Sequence, residues 1–252
     1  MPIEVAGALC AAAFVCALAG FCLAALAGAL EWRRVAVAAG GAGLAGCLLG
    51  LVVVSLSTGR IAFYGPFETL MVVGLWLGLL AMWDALGGRL AVAAWSWGLG
   101  AAFLLWLFAA PLKASPITLI PGYVWMPMFF ELRLAAQALL LYAAACHLAA
   151  WRGGGQGAPL RGRLALLGGW GAFMAGELVG AWWSYGWLGD FWQWNAGFLS
   201  STALLLLMGL GLHLPPRWAA RPWLRLIVGA APGVALNLVV LNHQINNKKI
   251  NK

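Results

Sequence analysis

Residues 5–30 read VAGALCAAAFVCALAGFCLAALAGAL, an apolar run with no charge and no proline anywhere along it. About 20 such residues suffice to cross a hydrocarbon core of about 30 Å as an α-helix, so this stretch is a span. Comparable runs recur along the chain, separated by short loops. The whole chain follows suit, with 64% hydrophobic and only 9% charged residues, a balance that a domain facing water on all sides does not have. Unpaired backbone groups are costly in lipid, and the runs are too long and too evenly apolar for the alternating strands of a barrel. The fold class expected is therefore all-α, a polytopic transmembrane helical bundle. About eight spans are predicted, near 5–30, 35–56, 68–86, 90–110, 132–151, 164–182, 197–214 and 224–242, forming one transmembrane domain over residues 1–252.

The small and charged residues fit that picture. Gly40, Gly43 and Gly46 in the second run suit close helix approach. Cys10, Cys16, Cys22, Cys47 and Cys146 all lie in apolar runs without a Cys-x-x-Cys pair, which argues against metal, redox or covalent haem attachment through them. The formal charge of +8 is scattered through loops rather than gathered on one face, so no nucleic-acid partner is expected. Nine arginines (33, 34, 89, 152, 161, 163, 217, 221 and 225) follow odd-numbered spans, while the other loops hold Arg60, Lys113 and Arg133. The positive-inside rule then puts the arginine loops in the cytoplasm and both termini outside. The polar, basic tail 244–252 runs against this orientation. The first span begins after Glu4 without Lys or Arg and outlasts a signal-peptide core, so it is expected to stay in the protein.

Two external loops stand out. Residues 111–131 hold Pro111, Pro116, Pro121 and Pro127 among aromatics and suggest a segment lying at the interface. The loop 183–196, with its approach, carries Trp182, Trp183, Trp187, Trp192 and Trp194. Single tryptophans commonly anchor helices at the bilayer surface, but such a cluster exceeds that need. A shelf of indole faces suits a large, flat, apolar ligand whose polar edge stays in water. Haem and quinones both answer to that description.

The segment Leu188-Gly189-Asp190-Phe191-Trp192-Gln193-Trp194-Asn195 resembles the WWD domain of the haem-handling cytochrome c assembly family, the CcsA, CcmC and CcmF group, whose core is Trp-Gly-x-x-Trp-x-Trp-Asp. Gly189, Trp192 and Trp194 match, whereas Leu188 replaces a Trp and Asn195 the Asp. Gly180-Ala181-Trp182 resembles the approach in CcsA-type members, and Tyr64-Gly-Pro-Phe-Glu68-Thr-Leu70 is similar to the family's Asn-Leu-Tyr-Glu-Ser-Leu segment. Leu212-His213 stands in the place of the family's intramembrane histidine, and Asn237 to His243 in that of its second external one. The likeness runs over roughly residues 57–243.

It implies an integral protein of a bacterial-type inner (plasma) membrane, with its tryptophan loop outside, which binds or moves haem and presents it to apocytochrome c beside other assembly subunits, as a possible component of a haem lyase. By resemblance the cofactor-binding set is Trp182, Trp183, Trp187, Trp192, Trp194, Asn195, His213 and His243, with His243 and His213 as candidate iron ligands. Lys113 and Arg133 are candidate propionate partners. The family's first external histidine has no counterpart between Phe130 and Gln137. Haem is therefore held differently, or the scaffold persists as a haem-free interaction subunit. A solute or quinone transporter is a third reading, with Glu177, an acid inside the sixth span, as its coupling group. His147 has no motif around it, and Glu68 and Asp84, at the two ends of the third span, are expected to be solvated.

Overall fold

The computed structural model describes residues 3–62, 65–106, 124–154, 157–191, 196–215 and 221–250, with the side chains of 3, 106, 187–188, 196–198 and 237–250 outside the description. These residues form eight α-helices: α1 (Ile3–Ala29), α2 (Arg33–Thr58), α3 (Pro66–Leu86), α4 (Leu90–Trp106), α5 (Trp125–Trp151), α6 (Ala158–Leu188), α7 (Ala196–Leu212) and α8 (Pro222–Ile250). Five of them, α1, α2, α3, α5 and α6, are long and apolar enough to cross a membrane, and the described parts of the other three are shorter apolar helices. The chain is an integral membrane helical protein. The described helices pack as two compact units, residues 1–122 with 152–156, and residues 123–151 with 157–252. Residues 107–123 lie outside the description and include most of the proposed interfacial loop and Lys113.

In the first unit α1 packs on α2 and α4, and α3 packs on the same two helices, so four helices close into a ring. Small residues allow this. A Cβ on Gly20 would fall 2.4 Å from the backbone nitrogen of Gly43, and one on Gly46 2.5 Å from that of Ala17, so α1 and α2 meet backbone to backbone. Phe21 fills the middle, where Cβ atoms on Gly43, Gly78 and Gly100 would lie 2.4, 2.9 and 3.5 Å from its ring. Its partners thus come from α2, α3 and α4 at once.

Both acids of α3 are fully buried, against the expectation that span ends are solvated. Each has a cation brought to it by the adjoining turn. Arg60 donates from Nη2 to Glu68 Oε1 at 2.9 Å, and Arg89 from Nε to Asp84 Oδ1 at 2.5 Å. A buried carboxylate is tolerable when its charge is paired in this way.

In the second unit α5 packs on α6 and α8, and α7 packs on α6 and α8. An alanine-rich face of α5, with Ala136, Ala143, Ala144 and Ala145, is buried beside Leu140, Leu166 and Phe173. α8 runs antiparallel to α5: Gly229 meets the His147 ring, and Gly233 meets the backbone carbonyl of Leu140.

Three boundaries differ from the sequence expectation, each for a local reason. α5 starts at Trp125 rather than near 132, because Pro127 falls in its first turn, where a helix forms no backbone bond through the missing N–H. α6 runs to Leu188, so the first part of the 183–196 loop is helix, and only Gly189, left-handed at φ 72°, ends it by donating its N–H to Tyr185 O at 2.9 Å. α8 extends to Ile250 and carries most of the 244–252 tail as backbone helix, since nothing after Gly233 breaks it.

Candidate functional site: an aromatic shelf at one end of the second unit

α6 has 31 residues, and at 1.5 Å per residue it is about 46 Å long, more than hydrocarbon alone requires. Its basic first turns and aromatic last turns mark where it leaves the apolar layer. On the last turns, Trp182 and Tyr185 share one exposed face, a helical turn apart. Phe191, just beyond the glycine stop, folds back over both. Its ring stacks on Tyr185 with centroids 4.1 Å apart and an interplanar angle of 5°, and lies 6.0 Å from the ring of Trp182. From α5, Trp125 closes on Trp182 at 6.2 Å.

A second row lies beneath. Phe129 contacts Trp183 at 6.0 Å and Phe130 edge-on at 5.2 Å. The glycine pair Gly176 and Gly180 on α6 makes room for α5 here, since a Cβ on Gly180 would stand 2.8 Å from the Phe129 ring. Trp183 Nε1 is buried without a hydrogen-bond partner.

Arg133 supports this row from within the unit. Its guanidinium lies over the rings of Phe129 and Phe173, 4.7 and 5.1 Å from their centroids. It also donates through Nε to Glu177 Oε1 at 3.1 Å and through Nη2 to the same oxygen, and Nη2 reaches Ser201 Oγ at 2.5 Å. One side chain of α5 therefore ties α6 and α7 together. Both partners of the ion pair are about 30% exposed, at 30% and 29%, so water still reaches them. Glu177, expected as a lone intramembrane acid, has its charge satisfied in the protein, and Arg133, expected in a loop, is part of a helix.

Among solved structures, the chain superposes on a cytochrome c haem lyase, CcmF, with a TM-score of 0.72 at 20% identity over 94% of its own length and 47% of the other chain. The chain has the CcmF fold. It spans about half the length of that protein. No family model and no curated protein matches it. The CcmF likeness agrees with the one carried by the tryptophan segment, and it does so at the level of fold.

Within this CcmF-like fold the expected site residues separate. Trp182 and Trp183 come together with three aromatics, Trp125, Phe129 and Tyr185, that the sequence reading had not selected, and with Phe191. Their signal was present as aromatics at 125 and 129, four residues apart on the α5 face that meets Gly176 and Gly180. Trp192, Trp194 and Asn195 lie outside the described residues, as does the side chain of Trp187. His213 is exposed at the far end of α7, about 25 Å by helical rise from Ala196, where α7 starts at the aromatic end. It does not join the shelf. Residue 243 stands on α8 about 15 Å beyond Gly233, as far as Phe130 stands beyond Leu140 on the antiparallel α5. The backbone thus carries position 243 to the level of the aromatic end.

The described residues fit a flat apolar ligand by their indole and phenyl faces. They bring no histidine to that end through a described side chain.

Proposed function

We propose that this chain is a cytochrome c-type biogenesis membrane protein that holds haem on the aromatic shelf at the outer face of an inner membrane, for attachment to apocytochrome c by an assembly complex. The observation that supports this reading most is the paired row of aromatics, Trp182 with Phe191, Tyr185 and Trp125, in a chain with the CcmF fold. Half-exposed rings offer area to a porphyrin face while its propionates remain in water. Trp192, Trp194 and Asn195 follow directly on Phe191 in sequence and belong to the proposed site, and His243, on the helix that reaches this end, is the iron ligand of the proposal. Bound there, haem would bring its own iron chemistry, and this chain would supply the stacking surface, the orientation and the imidazole.

The test is the absorption spectrum of detergent-purified protein from haem-replete cells, with and without reductant. A Soret band is expected, weakened by His243→Ala and by replacing Trp192 and Trp194. A colourless preparation would overturn the proposal.

One observation favours a second reading. The first turns of α5 border the shelf and contain no histidine, and Asn195 replaces the acid of the resembled motif. A haem-free subunit that docks an assembly partner through the same aromatic surface accounts for both. It predicts co-purification of that partner without haem and indifference to His243→Ala. Glu177, the coupling group of the transporter reading, is paired with Arg133.

A further inference from the structure

The haem reading gives the iron an imidazole from His243 and leaves the opposite axial position to be filled, since the first turns of α5 contain no histidine. Proteins close that position with a nitrogen, a sulfur or a phenolic oxygen. Among the described side chains at the aromatic end, in residues 124–133, 176–191 and 199–202, there is no histidine and no cysteine. The donors present there are the thioethers of Met126 and Met128, the phenol of Tyr185 and the carboxylates of Glu131, Glu177 and Asp190. Glu177 is paired with Arg133, and the Tyr185 ring lies flat against Phe191. Carboxylates are hard ligands, matched to ions such as magnesium and calcium. A methionine thioether, by contrast, serves haem iron well opposite a histidine.

Of the two thioethers, Met128 has the placement. α5 has 27 residues, about 40 Å at 1.5 Å per residue, against a hydrocarbon core of about 30 Å. Trp125 and Trp151, both exposed, stand at its two ends, so its first turn lies at the level where lipid chains give way to headgroups and water. The Met128 N–H donates to the Val124 carbonyl at 3.3 Å, which fixes its backbone in that turn. Its side chain is not packed away: it is 40% exposed, while Met126 is half-buried. Met128 stands one turn from Trp125 on the same face, and next to Phe129. Those are the two rings through which α5 meets Trp182 and Trp183. Packing does not account for an open thioether at the rim of the shelf, and three rotatable bonds give its sulfur reach over the neighbouring rings.

We propose that Met128 is the sulfur ligand of this site, its Sδ filling the axial position opposite an imidazole. The inference rests on the haem reading and gives it an electronic consequence: a thioether in place of a second imidazole raises the reduction potential and favours the ferrous state.

The test compares wild type, Met128→Leu, Met128→His and Met126→Leu, each as the full chain purified in detergent from haem-replete cells. Near-infrared magnetic circular dichroism of the ferric state distinguishes nitrogen–sulfur from nitrogen–nitrogen ligation, and a redox titration gives the potential. Wild type and Met126→Leu are expected to show the sulfur-to-iron charge-transfer band. Met128→Leu, a swap that nearly conserves volume, should lose that band and keep both its Soret absorption and its thermal midpoint. Met128→His should give a low-spin spectrum without the band and a lower potential than wild type. A Soret band in wild type with no sulfur band overturns the ligand and leaves the haem reading standing, whereas a colourless wild type overturns both. A sulfur band that persists in Met128→Leu, or disappears in Met126→Leu, also overturns the assignment. Should Met128→Leu not fold, Met128→His decides by the same band and potential.

Discussion

Phe21 in the first unit and Trp182 in the second are large aromatics on long apolar helices, with opposite surroundings. Phe21 is 1% exposed and touches glycines of three other helices, whereas Trp182 leaves 53% of its surface outside the unit and touches two neighbouring rings. The acids repeat the contrast. Glu68 is fully buried beside Arg60, and Glu177 shares its arginine with water and a serine. A residue type that serves packing in one unit is held open in the other, and open aromatic area is what a ligand can use. The first unit reads as scaffold and the second as the bearer of the site.

The largest expected effect strikes that contrast at Phe21. Phe21→Ala would empty the centre of the first unit, where glycines on α2, α3 and α4 have no side chains to collapse into the gap. A loss of about 3–5 kcal/mol is expected, seen as a lowered thermal midpoint or a fall in the folded fraction on size exclusion. A variant as stable as wild type would mean that the ring is not the key to this bundle.

The two acids give a smaller and more discriminating comparison. Glu68→Ala leaves Arg60 buried at 10% side-chain exposure without its carboxylate, and a cost of about 3 kcal/mol is expected for a buried charge stripped of its partner. Glu177→Ala removes a half-open pair that water replaces in part, and about 1 kcal/mol is expected. Denaturation of both variants in the same detergent checks the ratio. Equal costs would erase the distinction between a dry and a wet unit.

The helices were legible because a span announces itself by length and hydropathy alone, which needs no knowledge of neighbours. The α5 start was hidden by Pro127, since a proline signals a loop unless its position within the first turn is known. Glu68 and Asp84 looked solvated for the same reason: burial depends on what the adjoining turns bring up, and Arg60 and Arg89 are recognisable as partners only once the turns are folded. The link from Arg133 to Glu177 crosses 44 residues and two helices, a distance over which local periodicity carries no information. The tryptophan segment stood out in the sequence because its composition is extreme. Its partners Trp125 and Phe129 were less so, since aromatics near a span end are what any interface displays.

The smallest expected effect on the fold is the most telling for the site. Trp182 makes its contacts at ring distances of 6.0 and 6.2 Å and is half exposed, so Trp182→Ala is expected to change stability by no more than about 0.5 kcal/mol. If the shelf holds haem, the same change removes a stacking face, and aromatic contacts of this kind contribute about 0.5–1.5 kcal/mol beyond buried area, so haem retention should weaken roughly two- to tenfold. The measurement pairs the thermal midpoint with the rate at which apomyoglobin drains the Soret band. A variant that loses both together would make Trp182 a packing residue like Phe21, and one that loses neither would leave the exposed ring without a ligand to explain it. Loss of haem alone, with the fold intact, separates a surface built for binding from one built for packing.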